Sequence, residues 1–270
     1  MTSTVLLVGC GNMGYAMLKG WTASDDALAV HVVEPAEALA ERARAAGARA
    51  VSSADDLPAD LRPELVFLAV KPQAMAEIVP AYARFAGGPA TFVSVAAGTT
   101  IATLARLLPG PTPIVRCMPN TPAAVGAGMM VCCANDRTER EARDQATRLL
   151  STSGLVDWID DEALMDAVTA ISGSGPGYVF HFIECLAAAG VELGLPEPLA
   201  AKMAMQTVMG AGRLAAEADD PPARLREQVT SPGGTTAAGL AVLMGDDRLK
   251  RLIAEAATAA RDRGAELARG

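Results

Sequence analysis

Val5-Leu6-Leu7-Val8-Gly9-Cys10-Gly11-Asn12-Met13-Gly14 is the stretch that decides the fold. Its apolar start reads as a short strand, and Asn12 to Trp21 follows with helical spacing. Between them lies Gly-x-Gly-x-x-Gly. Gly9 permits a tight turn, Gly11 lets phosphates approach closely, and Gly14 lets the helix pack against the sheet. The helix start, with Asn12 and Met13 in its first turn, offers unpaired N–H groups to an anion. Glycine is frequent here, at 25 residues, so the motif alone carries little. Its setting strengthens it. Glu34 lies 20 residues beyond Gly14, at the end of the next strand, where a carboxylate can accept hydrogen bonds from an adenosine ribose. The pattern predicts a dinucleotide site. A carboxylate there repels a 2′-phosphate, which favours NADH over NADPH. Arg42 and Arg44 on the following helix read as solvated charges, the alternative being an outward turn to meet a phosphate.

Working outward, strand-like and helix-like segments alternate. Leu28–Val33, Leu65–Val70, Thr91–Val95 and Ile114–Met118 read as strands. Ala36–Ala46, Gln73–Phe85 and Ile101–Leu108 read as helices between them. Such alternation predicts a parallel sheet with crossover helices. Met129–Cys133 and Leu155–Ile159 read as further edge strands, joined by a helix over Arg137–Ser151. Ligands of open parallel sheets sit beyond the carboxyl ends of the strands. Val70-Lys71-Pro72 and Ala97-Gly98 fall at such ends and are candidate cofactor contacts. Asn120, after Met118-Pro119, has two readings: a donor to the nicotinamide carboxamide, or the side-chain cap of a proline-fixed turn.

After about residue 160 the strand signals vanish. Glu162–Ile171, Pro176–Leu193, Pro198–Ala218 and Arg248–Ala268 read as helices. The division predicted is 1–160 for dinucleotide binding and 161–270 for a helical domain. Val179, Phe180, Phe182, Ile183, Leu186 and Val191 spread around much of one helix. A helix with so little polar face must be covered on several sides. The expected cover is a second subunit across a two-fold interface, the alternative being burial within one subunit.

The net charge of −8 argues against nucleic acid and anionic membranes as partners. It does not exclude an anionic cofactor, because helix ends impose their own local field. Five cysteines without a Cys-x-x-Cys spacing fit a reducing compartment better than a disulfide framework. Cys132-Cys133 reads as part of a buried strand. The two histidines lack ligand-type neighbours at useful spacing, so no metal site is expected. No apolar run of about 18 residues occurs, and no basic segment precedes a cleavable apolar one. The expectation is a cytoplasmic protein.

Thr230-Ser231-Pro232-Gly233-Gly234-Thr235-Thr236 precedes the apolar helix Ala237–Met244. Glycines bare the backbone and hydroxyls stand beside it. That suits a carboxylate held without arginine, though Ser and Thr are also ordinary helix caps. This loop resembles a signature of the pyrroline-5-carboxylate reductase family. So do Val168 to Tyr178, Ala69-Val70-Lys71-Pro72-Gln73 and Arg116 to Pro122, in order and over nearly the whole chain. The resemblance implies a Rossmann-type doubly wound α/β domain followed by an all-α dimerisation domain. It implies a homodimer, in some members a decamer built of dimers. It implies reduction of the imino acid 1-pyrroline-5-carboxylate to L-proline with NAD(P)H. Carried over, Ser231, Gly233, Gly234, Thr235 and Thr236 surround the substrate, with Thr236 as the catalytic contact; Asp219 matches an acidic position only loosely. Many members have Ser, Asn or Arg where Glu34 stands, and an Asn near Asp55-Asp56. The family's common use of NADPH is thereby opposed by Glu34.

A protonated iminium accepts hydride well, so the protein need not supply a strong acid. Thr236 is expected to orient the imine nitrogen and relay a proton. The predicted pocket brings the glycine turn and the hydroxyl-bearing loop to one nicotinamide. Two rivals remain. A β-hydroxyacid dehydrogenase typically needs a lysine on the long helix, and Ser174–Leu193 has none. A dinucleotide sensor would keep Gly9 to Gly14 without needing the hydroxyl-rich loop.

Overall fold

A computed structural model describes residues 3–24 and 28–267. The chain forms two compact units, one of residues up to Ser174 and from Ala260 onward, the other Gly175–Ala259.

In the first unit the order is β1 (Ser3–Val8), α1 (Asn12–Ala23), β2 (Leu28–Val33), α2 (Glu37–Ala45), β3 (Arg49–Val51), β4 (Leu65–Leu68) and α3 (Met75–Ile78). Then come β5 (Thr91–Ser94), α4 (Ile101–Leu107), β6 (Ile114–Met118), β7 (Gly128–Ala134), α5 (Arg140–Leu150), β8 (Gly154–Trp158) and α6 (Met165–Val168). One sheet of order β3-β2-β1-β4-β5-β6-β7-β8 results. All neighbours are parallel except β6 and β7. Val5 pairs with Val30 on one side and Leu65 on the other. The strand order reverses at β1 and β4, which opens a crevice at their carboxyl ends.

Alternation of side chains explains why these strands read as unbroken apolar runs. Leu7 and Phe67 face a core that includes Met17, Leu18 and Trp21 of α1. Leu6, Val8, Val66 and Leu68 face the other core, with Met75, Tyr82 and Phe92. Both faces are covered, so no polar alternation survives. Each such side chain contributes roughly 1.5–3 kcal/mol by its burial. Trp21 lies 4.8 Å from Phe67 between ring centroids, and its indole N–H donates to the Leu149 carbonyl at 3.0 Å. That ties α1 to α5 and fixes the helix that opens at the glycine turn.

In this unit four segments differ from expectation. Of the two strands expected at an edge, β7 is interior and β8 lies at the edge. β3, the other edge, has three residues, too few to show alternation. Over Gln73–Phe85 there is no continuous α-helix but 3₁₀ turns at Pro72–Ala74 and Val79–Phe85 around α3. Pro80 brings no N–H to an i−4 bond. The segment read as a helix over Glu162–Ile171 is a 3₁₀ turn, α6, and a π-helical turn at Thr169–Gly173.

The second unit contains α7 (Gly175–Glu192), α8 (Glu197–Glu217), α9 (Pro222–Gln228) and α10 (Thr235–Met244), with α11 (Arg248–Leu267) running from it. α9 adds to the expected helices: Pro221 is its N-cap, and Pro222 is tolerated as a first-turn residue. Gly190 of α7 lets Ala200 of α8 approach closely. No residue of α7 is buried. Val179, Phe180 and Phe182 of α7 and Met203, Met205 and Met209 of α8 are exposed. Burial of the central helix within its own subunit is thus not what this unit shows. No helix among the described residues is long and apolar enough to cross a membrane.

Candidate active site

The glycine turn forms because backbone fills the places side chains would take. Gly9 sits at φ 88°, and a Cβ there would lie 2.9 Å from the Ala69 carbonyl oxygen. A Cβ on Gly14 would collide with the Gly9 carbonyl, which is how α1 starts so near β1. A Cβ on Gly11 would meet nothing within 4 Å, so the turn keeps an open approach there. Gly11 is the N-cap of α1 and no side chain caps it, leaving the first N–H groups, those of Asn12 and Met13 included, without a side-chain acceptor. This cradle fits a pyrophosphate.

Cys10 stands at the centre of the turn. Its N–H donates to Glu34 Oε2 at 2.7 Å, and its carbonyl accepts from Arg42 Nη2 at 2.9 Å. Glu34 is 7% exposed, and its Oε1 accepts from the Ala36 N–H at 3.0 Å. The Arg42 guanidinium lies 4.0 Å from the centroid of the Tyr15 ring. Arg42 is therefore not a solvated charge, as the sequence predicts; Arg44, paired at the surface with Glu37 at 2.8 Å, is. Burial pushes the Cys10 thiol up to about 11, with Arg42 opposing and Glu34 adding to the rise. The thiol stays protonated near neutrality.

A cavity of about 580 Å³ brings together Gly9, Gly11, Glu34, Val70 and Lys71. Ser52, Ser53, Asp55 and Tyr82 share its walls. The serines went unassigned in the sequence, although Ser53 and Asp56 form a capping box whose spacing was legible. Burial pushes the Tyr82 phenol up to about 12. Asn12 and Met13 line a neighbouring cavity of about 360 Å³ with Tyr15 and Arg42. Pro72 opens the 3₁₀ turn after Lys71. Ala97, exposed, and Gly98, at φ 73°, follow the end of β5. A larger cavity of about 910 Å³ lies at the opposite, amino ends of β4 to β6, beside Glu64, Thr91 and Pro113, and contains none of the expected site residues.

Asn120 makes no cap bond, so the capping role is corrected. Its Nδ2 donates to the Ser172 carbonyl at 3.2 Å and reaches Ser172 Oγ at 3.3 Å, while Oδ1 accepts from the Met129 N–H at 2.9 Å. It joins the end of β6, the start of β7 and the π-helical turn. Nearby, Arg116 is paired with Glu162 at 2.9 Å, and the same Glu162 oxygen accepts from the Ile101 N–H at 2.9 Å. One carboxylate thus holds β6 and the start of α4. Cys117 stands opposite Cys132 in the β6–β7 register. The Cys132 hydrogen bond and burial hold the Cys117 thiol well above its ordinary range, and burial with the Glu162 charge pushes Cys133 to about 12.

In the second unit, the loop before α10 is bare and polar. Gly233 takes φ 67°, and the Gly234 N–H returns to the Ser231 carbonyl at 3.0 Å. Gly234, not a threonine, is the N-cap, and no side chain caps the helix. Ser231, Thr235 and Thr236 are exposed. Among the described residues their hydroxyls make no hydrogen bond within the chain. Thr230 differs: its Oγ1 donates to the Arg226 carbonyl at 2.6 Å. The loop thus presents three uncommitted hydroxyls and an uncapped helix start, a combination able to hold a carboxylate.

Comparison with known proteins agrees over the whole chain. Residues 162–267 match the family model described as pyrroline-5-carboxylate reductase dimerisation, and residues 4–98 match one described as NADP oxidoreductase coenzyme F420-dependent. The chain is 38% identical over 269 residues to the pyrroline-5-carboxylate reductase of Pseudomonas aeruginosa, covering 99% of this chain and 97% of that protein. It is 36% identical to that of Escherichia coli over 90% of each. Its fold is similar to the solved structure of a pyrroline-5-carboxylate reductase from Coxiella burnetii, with TM-score 0.93, 31% identity and 99% of each chain covered. It is also similar to that of the Plasmodium falciparum pyrroline carboxylate reductase with NADP bound, with TM-score 0.81, 27% identity and 98% of each chain covered.

Proposed function

The chain belongs to the pyrroline-5-carboxylate reductase family, and from that premise we infer how its residues divide the reduction of 1-pyrroline-5-carboxylate to L-proline by NAD(P)H. When bound, the reduced dinucleotide supplies the hydride that saturates the C=N carbon. Gly9, Gly11 and Gly14, with the N–H groups of Asn12 and Met13, hold its pyrophosphate. The open space over Gly11 and the uncapped start of α1 support this. Val70, Lys71 and Pro72 after β4, and Ala97 and Gly98 after β5, complete the cofactor contacts. Asn120 serves the same wall by holding Ser172 and Met129 in place rather than by donating to the carboxamide. Its three hydrogen bonds support that.

NADH is the preferred cofactor. Glu34 supports this: its carboxylate is nearly buried, fixed by two backbone N–H groups, and shares a cavity with Asp55. A ribose 2′-hydroxyl can donate to it, whereas a 2′-phosphate meets fixed negative charge.

The substrate carboxylate goes to Ser231, Gly233, Gly234 and Thr235 at the start of α10. Thr236 Oγ1 takes the imine nitrogen. A hydroxyl is a weak acid, so Thr236 orients the nitrogen and passes a proton while the substrate arrives as the iminium. The observation that carries this assignment is that none of these hydroxyls is used to cap α10.

The helical domain, with functional limits 161–270, makes the working unit a homodimer, the exposed faces of α7 and α8 being its interface. Light scattering distinguishes this from the larger assembly, a decamer of dimers. The proposed compartment is the cytoplasm, supported by the reduced, buried thiols of Cys10, Cys117, Cys132 and Cys133. Loss of NADH absorbance with 1-pyrroline-5-carboxylate, together with no formation of NADH from NAD+ and a 3-hydroxy acid, tests the reaction directly. Tight NADH binding without turnover of the imine would favour the sensor.

A further inference from the structure

We propose that Arg42 is a positioning residue for the dinucleotide turn, acting through the carbonyl of Cys10, and that it takes no part in reading the 2′-position of the cofactor. The inference rests on the dinucleotide assignment of Gly9 to Gly14. Cys10 is the only residue between the first two glycines of the motif, so the setting of its peptide groups decides where the turn points. A glycine-flanked residue has wide conformational freedom. Here both of its backbone polar groups are taken by side chains of opposite charge. Glu34 Oε2 accepts from its N–H at 2.7 Å, and Arg42 Nη2 donates to its carbonyl at 2.9 Å. The two hydrogen bonds grip one residue from opposite ends, and each has a charged member.

The guanidinium is itself held. It lies 4.0 Å from the Tyr15 ring centroid, on α1, while its own stem rises from α2. Its Nε is buried without a partner. That is unfavourable, so the position is set by Cys10 and Tyr15 and not by satisfying the guanidinium. Turning Arg42 outward to a 2′-phosphate would release the Cys10 carbonyl and uncover the Tyr15 face. Arg44, the neighbouring cation on α2, is paired with Glu37. The consequence is preorganisation: Arg42 fixes the turn before the pyrophosphate arrives, which strengthens binding of either dinucleotide equally.

The test is titration of the full-length protein with NADH and with NADPH, followed by nicotinamide fluorescence, for wild type, Arg42→Met, Arg42→Lys and Gly11→Val. Arg42→Met keeps an apolar stem against Tyr15 and removes the donor. Both Kd values should rise about tenfold, with their ratio constant within about twofold and kcat at saturating cofactor nearly unchanged. Arg42→Lys, which keeps a donor for Cys10, should recover part of the loss. A melting temperature that falls while both Kd values stay put overturns the inference, because the role is then structural only. A loss much larger for NADPH than for NADH also overturns it, because Arg42 then reads the phosphate. Should Arg42→Met not fold, Arg42→Lys still decides, with an equal and smaller rise in both Kd values expected. Gly11→Val separates this inference from the reading beneath it. Its side chain enters open space, so it should fold and lose both dinucleotides. If it binds them normally, the dinucleotide assignment falls; if it loses them while Arg42→Met does not, only the role of Arg42 falls.

Discussion

Replacing Glu34 by Gln should move this enzyme toward NADPH, and the size of the shift can be worked out. The carboxylate is 7% exposed and is pinned by the N–H groups of Cys10 and Ala36, so it cannot swing away from an incoming phosphate. At a separation of about 5 Å and an effective dielectric of about 40–80, each pair of unit charges contributes roughly 0.8–1.7 kcal/mol. A phosphate monoester carries about 1.5–2 charges near neutrality, so the total repulsion is about 1–3 kcal/mol. Removing it should raise the NADPH/NADH ratio of kcat/KM by about 5- to 150-fold. Gln keeps one carbonyl oxygen for the Cys10 N–H but leaves the Ala36 N–H short of an acceptor. That loss weakens both cofactors and cancels in the ratio. The assay is initial rates with saturating imine and varied cofactor, at low and at high salt. Screening should raise NADPH use by wild type and leave the variant less affected. A ratio unchanged within about twofold would show that Glu34 does not face the 2′-position, and the preference for NADH would lose its basis.

Further outcomes follow from the same geometry. Thr236→Ala should lower kcat/KM about 10- to 100-fold while NADH affinity and melting temperature stay near wild type, because the hydroxyl has no bond among the described residues; normal turnover removes Thr236 from the site. Glu162→Ala leaves Arg116, its side chain 5% exposed, without its counter-charge, and the Ile101 N–H without an acceptor. It should cost about 2–4 kcal/mol by chemical denaturation, less than a wholly buried pair because Glu162 is partly solvated. Glu162→Gln, which keeps a carbonyl acceptor, should cost less. Burial, with Arg49 adding, holds the His31 imidazole below its ordinary 6.5. The unfolded chain therefore takes up a proton first as pH falls. The His31 contribution is intact above about pH 6.5 and is lost as pH drops from there toward the lowered folded value. The drop in urea midpoint between about pH 7.5 and 5.5 should be smaller in His31→Gln; identical profiles would refute this.

The legible parts of the fold were those with long-range consequences written locally. Seven of the eight strands stand within two residues of expectation at each end, because a strand covered on both faces is an unbroken apolar run. The glycine turn was equally plain, since only glycine survives beside the carbonyls of Gly9 and Ala69. What escaped was short or cooperative. β3 has three residues and is defined by its pairing with β2, not by its own pattern. The broken helix around Met75 follows from Pro80 and from packing of Tyr82 and Phe85 into the core.

By itself the sequence determined the class of fold, the dinucleotide turn and the hydroxyl-rich loop, because each depends on the identity of adjacent residues. Tertiary structure alone decided which polar groups are already spent. Arg42 reads from the chain as a solvated charge and Asn120 as a cofactor donor or a turn cap, yet Arg42, Asn120 and Glu162 each bond backbone more than 30 residues away. Ser231, Thr235 and Thr236 look like helix caps and are left unused. Such facts depend on which backbone groups lack a partner after folding. That is a property of the assembled core and not of any local stretch of sequence.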